Sequence, residues 1–205
     1  MSIVPSNING IMTKGRFLFS AKPVDGVEIT DSYNIKIIVP HLFPRDVPLV
    51  YELDRKIPRD GKHHINPNDT LCLGSPLRLK FILSNYETLV DFAEKILVPY
   101  LYAMSHQHTF GGNLPAHELA HGEEGIVKDY NELLKLKTPE QIKAALGLLG
   151  IKKRIANKKL CPCNCGKRYG ICKYRFVLEQ YRNLASRGWF KYHSKNLGGI
   201  NNEYI

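Results

Sequence analysis

Five cysteines define the chemistry open to this chain of 205 residues, and they fall into two groups. Cys72 stands alone between Leu71 and Leu73, at the end of the polar stretch GKHHINPNDTLCLG (61–74), which also holds His63, His64 and Asn66. A lone cysteine is more often a small buried hydrophobe, and its neighbours decide whether it is instead a working thiol. The other four, Cys161, Cys163, Cys165 and Cys172, crowd into CPCNCGKRYGIC. Thiolates this dense repel one another unless a cation neutralises them, and tetrahedral Zn²⁺ does so while folding a segment too short for its own core. A structural zinc site on these four residues is the expectation. Unliganded reduced thiols are the alternative.

A third group competes for a catalytic role. HELAH (117–121) is a literal H-E-x-x-H, which on a helix would place His117 and His121 on one face as zinc ligands with Glu118 as the water-activating base of a metallopeptidase. Pro115 and Gly122 leave little room for that helix, and Glu124 occupies the position where the longer metzincin pattern needs glycine. Local packing or capping by the two histidines is the plainer reading.

The elements that must position these groups can be read from periodicity. GRFLFS (15–20) and YNIKIIV (33–39) alternate as half-buried strands do, with Pro23, Asp25 and Gly26 turning the chain between them, and LVYEL (49–53) makes a third strand. Pro40, Pro44 and Pro48 confine the connection to turns and edges, so an antiparallel meander is expected. Ser84 and Glu87 have the spacing of a capping box, predicting a helix whose buried face is Leu89, Phe92, Ala93, Ile96, Leu97, Leu101 and Met104, kinked at Pro99. Residues 105–125 read as a polar, His- and Gly-rich connection, followed by a short helix over IVKDYNELL. Thr138 and Gln141 predict a second capped helix to about Leu149, closed by Gly150.

The net charge of +10 is uneven, since residues 151–205 hold 13 Lys and Arg against 2 Asp and Glu. Such a segment suits nucleic acid, an acidic protein face or anionic lipid, and charge alone does not choose. Basic and aromatic residues interleave in KYRFVLEQYRNLASRGWFKYH, where Tyr174, Tyr181, Trp189, Phe190 and Tyr192 could stack on bases or pack inward as the apolar side of a helix. Nucleic acid therefore stays open as a partner. No run of about 18 apolar residues is present, the N-terminus lacks the build of a signal peptide, and the cysteines do not form a disulfide framework. A cytoplasmic protein with no membrane partner is expected. Composition places a domain boundary near 137/138, with residues 1–137 carrying the thiol and 138–205 forming a basic extension.

Taken together, YNIKIIVPHLFPRDVPLVYELD, then HHIN, then LCLG resemble the ubiquitin-conjugating-enzyme family: a strand, a proline-bounded loop, another strand, a His-Pro-Asn tripeptide, and a cysteine followed by leucine. The resemblance covers roughly residues 10–135. Ile65 replaces the middle proline, and Asn66 lies closer to Cys72 than in the usual eukaryotic members, a shortening similar to that of the divergent bacterial branch found in anti-phage (CBASS-type) operons beside cGAS-like cyclic-nucleotide synthases. HGEEGIVKDY also resembles the segment after the main helix in that branch.

The resemblance implies an α+β fold, a meander packed on a long helix. It also implies a conjugating enzyme in which Cys72 carries the C-terminal glycine of a protein as a thioester and passes it to an amine or lysine. By the same resemblance Asn66 stabilises the oxyanion or orders the loop, and His64 has a mainly structural part. The carrier can be a cGAS-like nucleotidyltransferase itself. CPCNCGKRYGIC resembles the SEC-C zinc motif, with Cys161, Cys163 and Cys172 on three ligand positions and Lys173 on the fourth, so that Cys165 is the natural substitute and His193 a weaker one. A non-catalytic binding module that uses this basic tail is the other class the residues allow.

Overall fold

The computed structural model describes residues 2–6, 10–60, 63–112 and 122–197. Its contacts divide the chain into two compact units, Met1–Gly74 with Ile82–Glu118, and Ser75–Phe81 with Leu119–Tyr204. This cut differs from the one drawn by composition at 137/138, because residues 119–137, and also the start of α1 (Pro76–Leu83), belong to the second unit.

The first unit is a four-stranded antiparallel sheet in the order β1 (Ser2–Ser6), β2 (Gly10–Ala21), β3 (Ile29–Pro40), β4 (Leu49–Glu52). The meander expected from the alternation is present, and β1, which carries no legible pattern, adds an edge. Tyr33, Ile35, Ile37 and Val39 are buried on one face of β3, as a period of two requires. That side of the sheet meets a helical run made of α2 (Leu89–Phe92), a π-helical turn (Ala93–Leu97) and α3 (Val98–Phe110). Tyr33 Oη and Ser105 Oγ lie 2.8 Å apart, Ser105 Oγ donates to Asp31 at 2.7 Å, and Tyr102 donates to the Val27 carbonyl at 2.9 Å.

Two helix signals resolve differently from expectation. Ser84 is exposed in the turn that leaves α1, and the capping box belongs to Thr88 and Asp91, each side chain accepting the other's backbone N–H at 3.1 Å. SPLRLKFIL forms α1 of its own, so the second helix can begin only after the chain has turned through Asn85 and Tyr86. Before Pro99 the helix widens into the π turn, with the Val98 N–H bonded to the Ala93 carbonyl; a proline lacks the donor an ordinary turn would use there. Phe92, Ile96, Leu97, Leu101 and Met104 form the predicted buried face.

The second unit packs α4 (Gly122–Leu134), α5 (Pro139–Leu149), α6 (Lys153–Ala156), α7 (Arg175–Glu179) and α8 (Arg187–Lys195) around a core that includes Leu77, Tyr130, Leu134, Ile142, Leu146, Leu149 and Phe190. The Thr138–Gln141 capping box opens α5 as its sequence predicts. α5 and α8 approach so closely at Gly150 that a Cβ there would meet the Lys191 backbone nitrogen at 3.2 Å. Within this unit Asp129, fully buried, accepts from Ser75 and Arg78, and Arg78 also pairs with Glu132 at 2.8 Å. A buried carboxylate of this kind is tolerated because charge and hydrogen bonds are both supplied.

Candidate functional site

Cys72 ends a small hairpin. Asn66 N–H donates to the Thr70 carbonyl (2.8 Å), Asp69 N–H to the Asn66 carbonyl (2.9 Å), and Ile65 and Leu71 form a bridge. Pro67, Asn68 and Asp69 make the turn, with Asp69 in the left-handed region at φ 66°. Asn and Asp reach that region at less cost than other non-glycine residues, which is why an NPND sequence can close so tightly. The hairpin is fastened to the sheet by the Leu71 N–H, which donates to the Val50 carbonyl at 2.8 Å.

The cysteine itself is half-buried, and its N–H donates to the His64 carbonyl at 2.7 Å. Burial pushes its thiol pKa up, partly offset by the Gly74 backbone N–H. Desolvation disfavours the thiolate, so at neutral pH the group rests as a thiol. Asn66 turns its amide to Thr70 Oγ1 at 2.9 Å, inside the hairpin, an arrangement that suits the loop-ordering role. His64 contributes its carbonyl and a left-handed backbone at φ 51°. His63 Nδ1 lies 2.7 Å from Asp60 and lines a cleft of about 350 Å³ with Tyr33, Lys56, Met104 and Gln107.

Two residues that sequence reasoning missed hold this arrangement. Tyr100 of α3 donates to the His63 carbonyl at 2.9 Å and to the His64 carbonyl at 3.3 Å. Its phenol is pushed well above the ordinary range, by burial first and then by the neighbouring Cys72. The carbonyl that orients Cys72 is thus itself held by a side chain from the helix. Arg59 donates to buried Glu52 at 2.8 Å and to Asp69 at 3.0 Å, joining β4 to the hairpin's turn. Neither residue could be found from local spacing, because each acts on backbone or charge remote in sequence.

The four clustered cysteines do come together, with all their sulfurs within 4.8 Å of one another. Cys161–Cys163, Cys163–Cys172 and Cys165–Cys172 are separated by 3.2, 3.6 and 3.5 Å. A tetrahedral ion with Zn–S bonds of about 2.3 Å sets its sulfurs about 3.8 Å apart, so the donor set fits one metal ion with small adjustment. Asn164 (φ 59°) and Gly166 (φ 73°) take left-handed backbones that fold three alternating cysteines round one point. Burial raises the Cys161 and Cys163 thiols, whereas the Lys167 N–H draws exposed Cys165 down to about 7.

His193 is not part of this cluster. Its ring is buried and stacks on Trp189 at 3.6 Å, with neither nitrogen bonded to a protein partner. Burial, with Lys80 nearby, lowers its pKa to about 4. Tyr174, Tyr181 and Phe190 also turn inward, the two phenols donating to the carbonyls of Leu134 and Leu133 at 2.7 Å, so base stacking is not open to these rings. Trp189 and Tyr192 are partly buried. His117, Glu118 and His121 lie outside the described residues.

Comparison with protein-family models, with curated proteins and with solved structures returns no match to this chain. The class that can be stated is therefore structural: an α+β protein with an antiparallel sheet, several helices and a four-cysteine cluster suited to a metal ion. Among the described residues no helix is long and apolar enough to cross a membrane.

Proposed function

We propose that this chain is a ubiquitin-conjugating-like acyltransferase of bacterial antiviral (CBASS-type) signalling, in which Cys72 carries the C-terminal glycine of a partner protein, and that the four-cysteine cluster holds a structural Zn²⁺. The observation that carries the reading is the hairpin of residues 64–72. It places a half-buried thiol beside an asparagine-closed turn, behind a meander and a long helix, in the chain order HHIN…LCLG.

In the first step Cys72 gives up its thiol proton and its sulfur attacks the activated carboxyl carbon of the carrier. A C–S bond forms as the donor's leaving group departs. In the second, an amine nitrogen attacks the thioester, the C–N bond forms, the C–S bond breaks, and the thiolate leaves while the amine proton passes to water. The carrier can be a cGAS-like nucleotidyltransferase, and the acceptor is a lysine or other amine. Since the thiol is raised by burial, charging requires deprotonation on docking of the activated donor, and positioning by the hairpin supplies much of the rest.

The test is intact-mass analysis of the full chain co-expressed with the proteins encoded beside it, as wild type, Cys72→Ser and Cys72→Ala. A thioester on the wild type and a stable oxyester on Cys72→Ser are expected, with no adduct on Cys72→Ala. The absence of any adduct on the first two would overturn the acyltransferase. Activity lost with His117→Ala but kept with Cys72→Ala would instead establish a metallopeptidase. A second reading, a non-catalytic binding module, is favoured by the exposed basic surface of residues 152–175.

A further inference from the structure

The metal-bearing hairpin displays a surface that neither the thiol nor the cysteines use. Leu160 and Arg168 form a bridge, with the Cys161 N–H donating to the Lys167 carbonyl (2.9 Å) and the Tyr169 N–H to the Lys159 carbonyl (2.8 Å). Side chains alternate across such a pair, so Cys161 and Tyr169, both buried, take the inner face and Leu160 and Arg168 the outer one. Leu160 is 73% exposed, and Ile171 and Phe176 are exposed to 75% and 69%. The Arg175 guanidinium donates to the Gly170 carbonyl at 2.6 Å and lies 4.7 Å over the Phe176 ring.

Three large apolar side chains this open stand on the hairpin and the turn that follows it, where the Ile171 N–H donates to the carbonyl of Arg168, the residue bridged to Leu160. A concave peptide site would half-bury its apolar lining. A nucleic-acid platform would need stacking rings, yet Tyr174, Tyr181 and Phe190 are turned inward, leaving Phe176 as the most exposed aromatic here. Exposed apolar residues neighboured by the exposed Lys158, Lys159, Arg168 and Arg175, in a segment with 13 cationic against 2 acidic residues, are complementary to the headgroup–acyl boundary of an anionic bilayer. We propose that this hairpin docks the protein on anionic lipid surfaces, Leu160, Ile171 and Phe176 entering the interface and the surrounding Lys and Arg meeting lipid phosphates. The proposal departs from the expectation of no membrane partner and is independent of the chemistry at Cys72.

The experiment is vesicle co-sedimentation of the full-length, zinc-loaded protein with equimolar phosphatidylcholine and phosphatidylglycerol, and with phosphatidylcholine alone. Binding to the anionic vesicles at least about tenfold tighter than to the neutral ones is expected, weakening as salt is raised. Replacing Leu160, Ile171 and Phe176 together by Ser is expected to weaken it by about tenfold or more. Equal binding to both vesicles, or full binding by the triple variant, would overturn the proposal. So would capture of a single-stranded oligonucleotide or an acidic peptide without capture of vesicles. Leu160→Trp gives a separate readout should the triple variant lose its metal: its emission must shift to the blue with anionic vesicles, and an unmoved spectrum overturns the docking.

Discussion

The buried His193 ring makes the second unit sensitive to acid in a way that can be calculated. Its folded pKa of about 4 lies below its ordinary 6.5, because burial and Lys80 disfavour the imidazolium. The unfolded chain therefore binds the proton first as the pH falls. The stability contributed by keeping the ring neutral is fully present above about pH 6.5 and is lost progressively towards pH 4. A shift of this size corresponds to about 3 kcal/mol in all, of which about 2 kcal/mol is gone by about pH 5.

His193→Phe removes the titration, can keep the stack on Trp189, and leaves no imidazole nitrogen buried without a partner. Denaturant unfolding of the full chain, wild type against variant, at about pH 7 and about pH 5, isolates the effect; protonation of the four clustered cysteines is common to both proteins and cancels in the difference. The variant's advantage is expected to grow by about 2 kcal/mol at the lower pH. Parallel loss in the two proteins would refute the assignment of a neutral, acid-sensitive ring.

Three other outcomes follow from the site geometry. Arg59→Met leaves Glu52 buried without its cation and is expected to destabilise the first unit by about 3–5 kcal/mol, read as a lower denaturation midpoint. Alkylation of Cys72, followed by peptide mass spectrometry, should show its ionisation midpoint above that of free cysteine; Tyr100→Phe, which frees the carbonyls of His63 and His64, should cost about 1 kcal/mol and raise the alkylation rate severalfold. Metal analysis should find one zinc per chain, retained by His193→Phe and lost with Cys161→Ser, and chelation should lower the melting temperature of the second unit.

The thiol cluster shows how far spacing alone reaches. Four cysteines within CPCNCGKRYGIC need only one tight loop to meet, although an extended chain would hold Cys161 and Cys172 about 30 Å apart or more, and the left-handed turns at Asn164 and Gly166 supply that loop. The β3 alternation and the Thr138–Gln141 box are local in the same sense, and each appears where its residues predict. The helix start at 84 was ambiguous for a physical reason. Ser84/Glu87 and Thr88/Asp91 offer the same capping chemistry one turn apart, and the choice depended on where α1 ends.

Sequence by itself determined the strands β2, β3 and β4, the capped start of α5 and the apolar face of the helical run through Leu101, though not β1 or α1, and also that the C-terminal part is basic and that two sets of thiols exist. Tertiary structure alone decided that Cys72 hangs from a carbonyl held by Tyr100, that Arg59 neutralises Glu52, and that His193 stacks on Trp189 outside the four-cysteine cluster. It also decided that Tyr174, Tyr181 and Phe190 face the core while Leu160, Ile171 and Phe176 face out. Burial and long-range hydrogen bonds join residues far apart along the chain, and no local period encodes which of several equally apolar side chains the packing will cover.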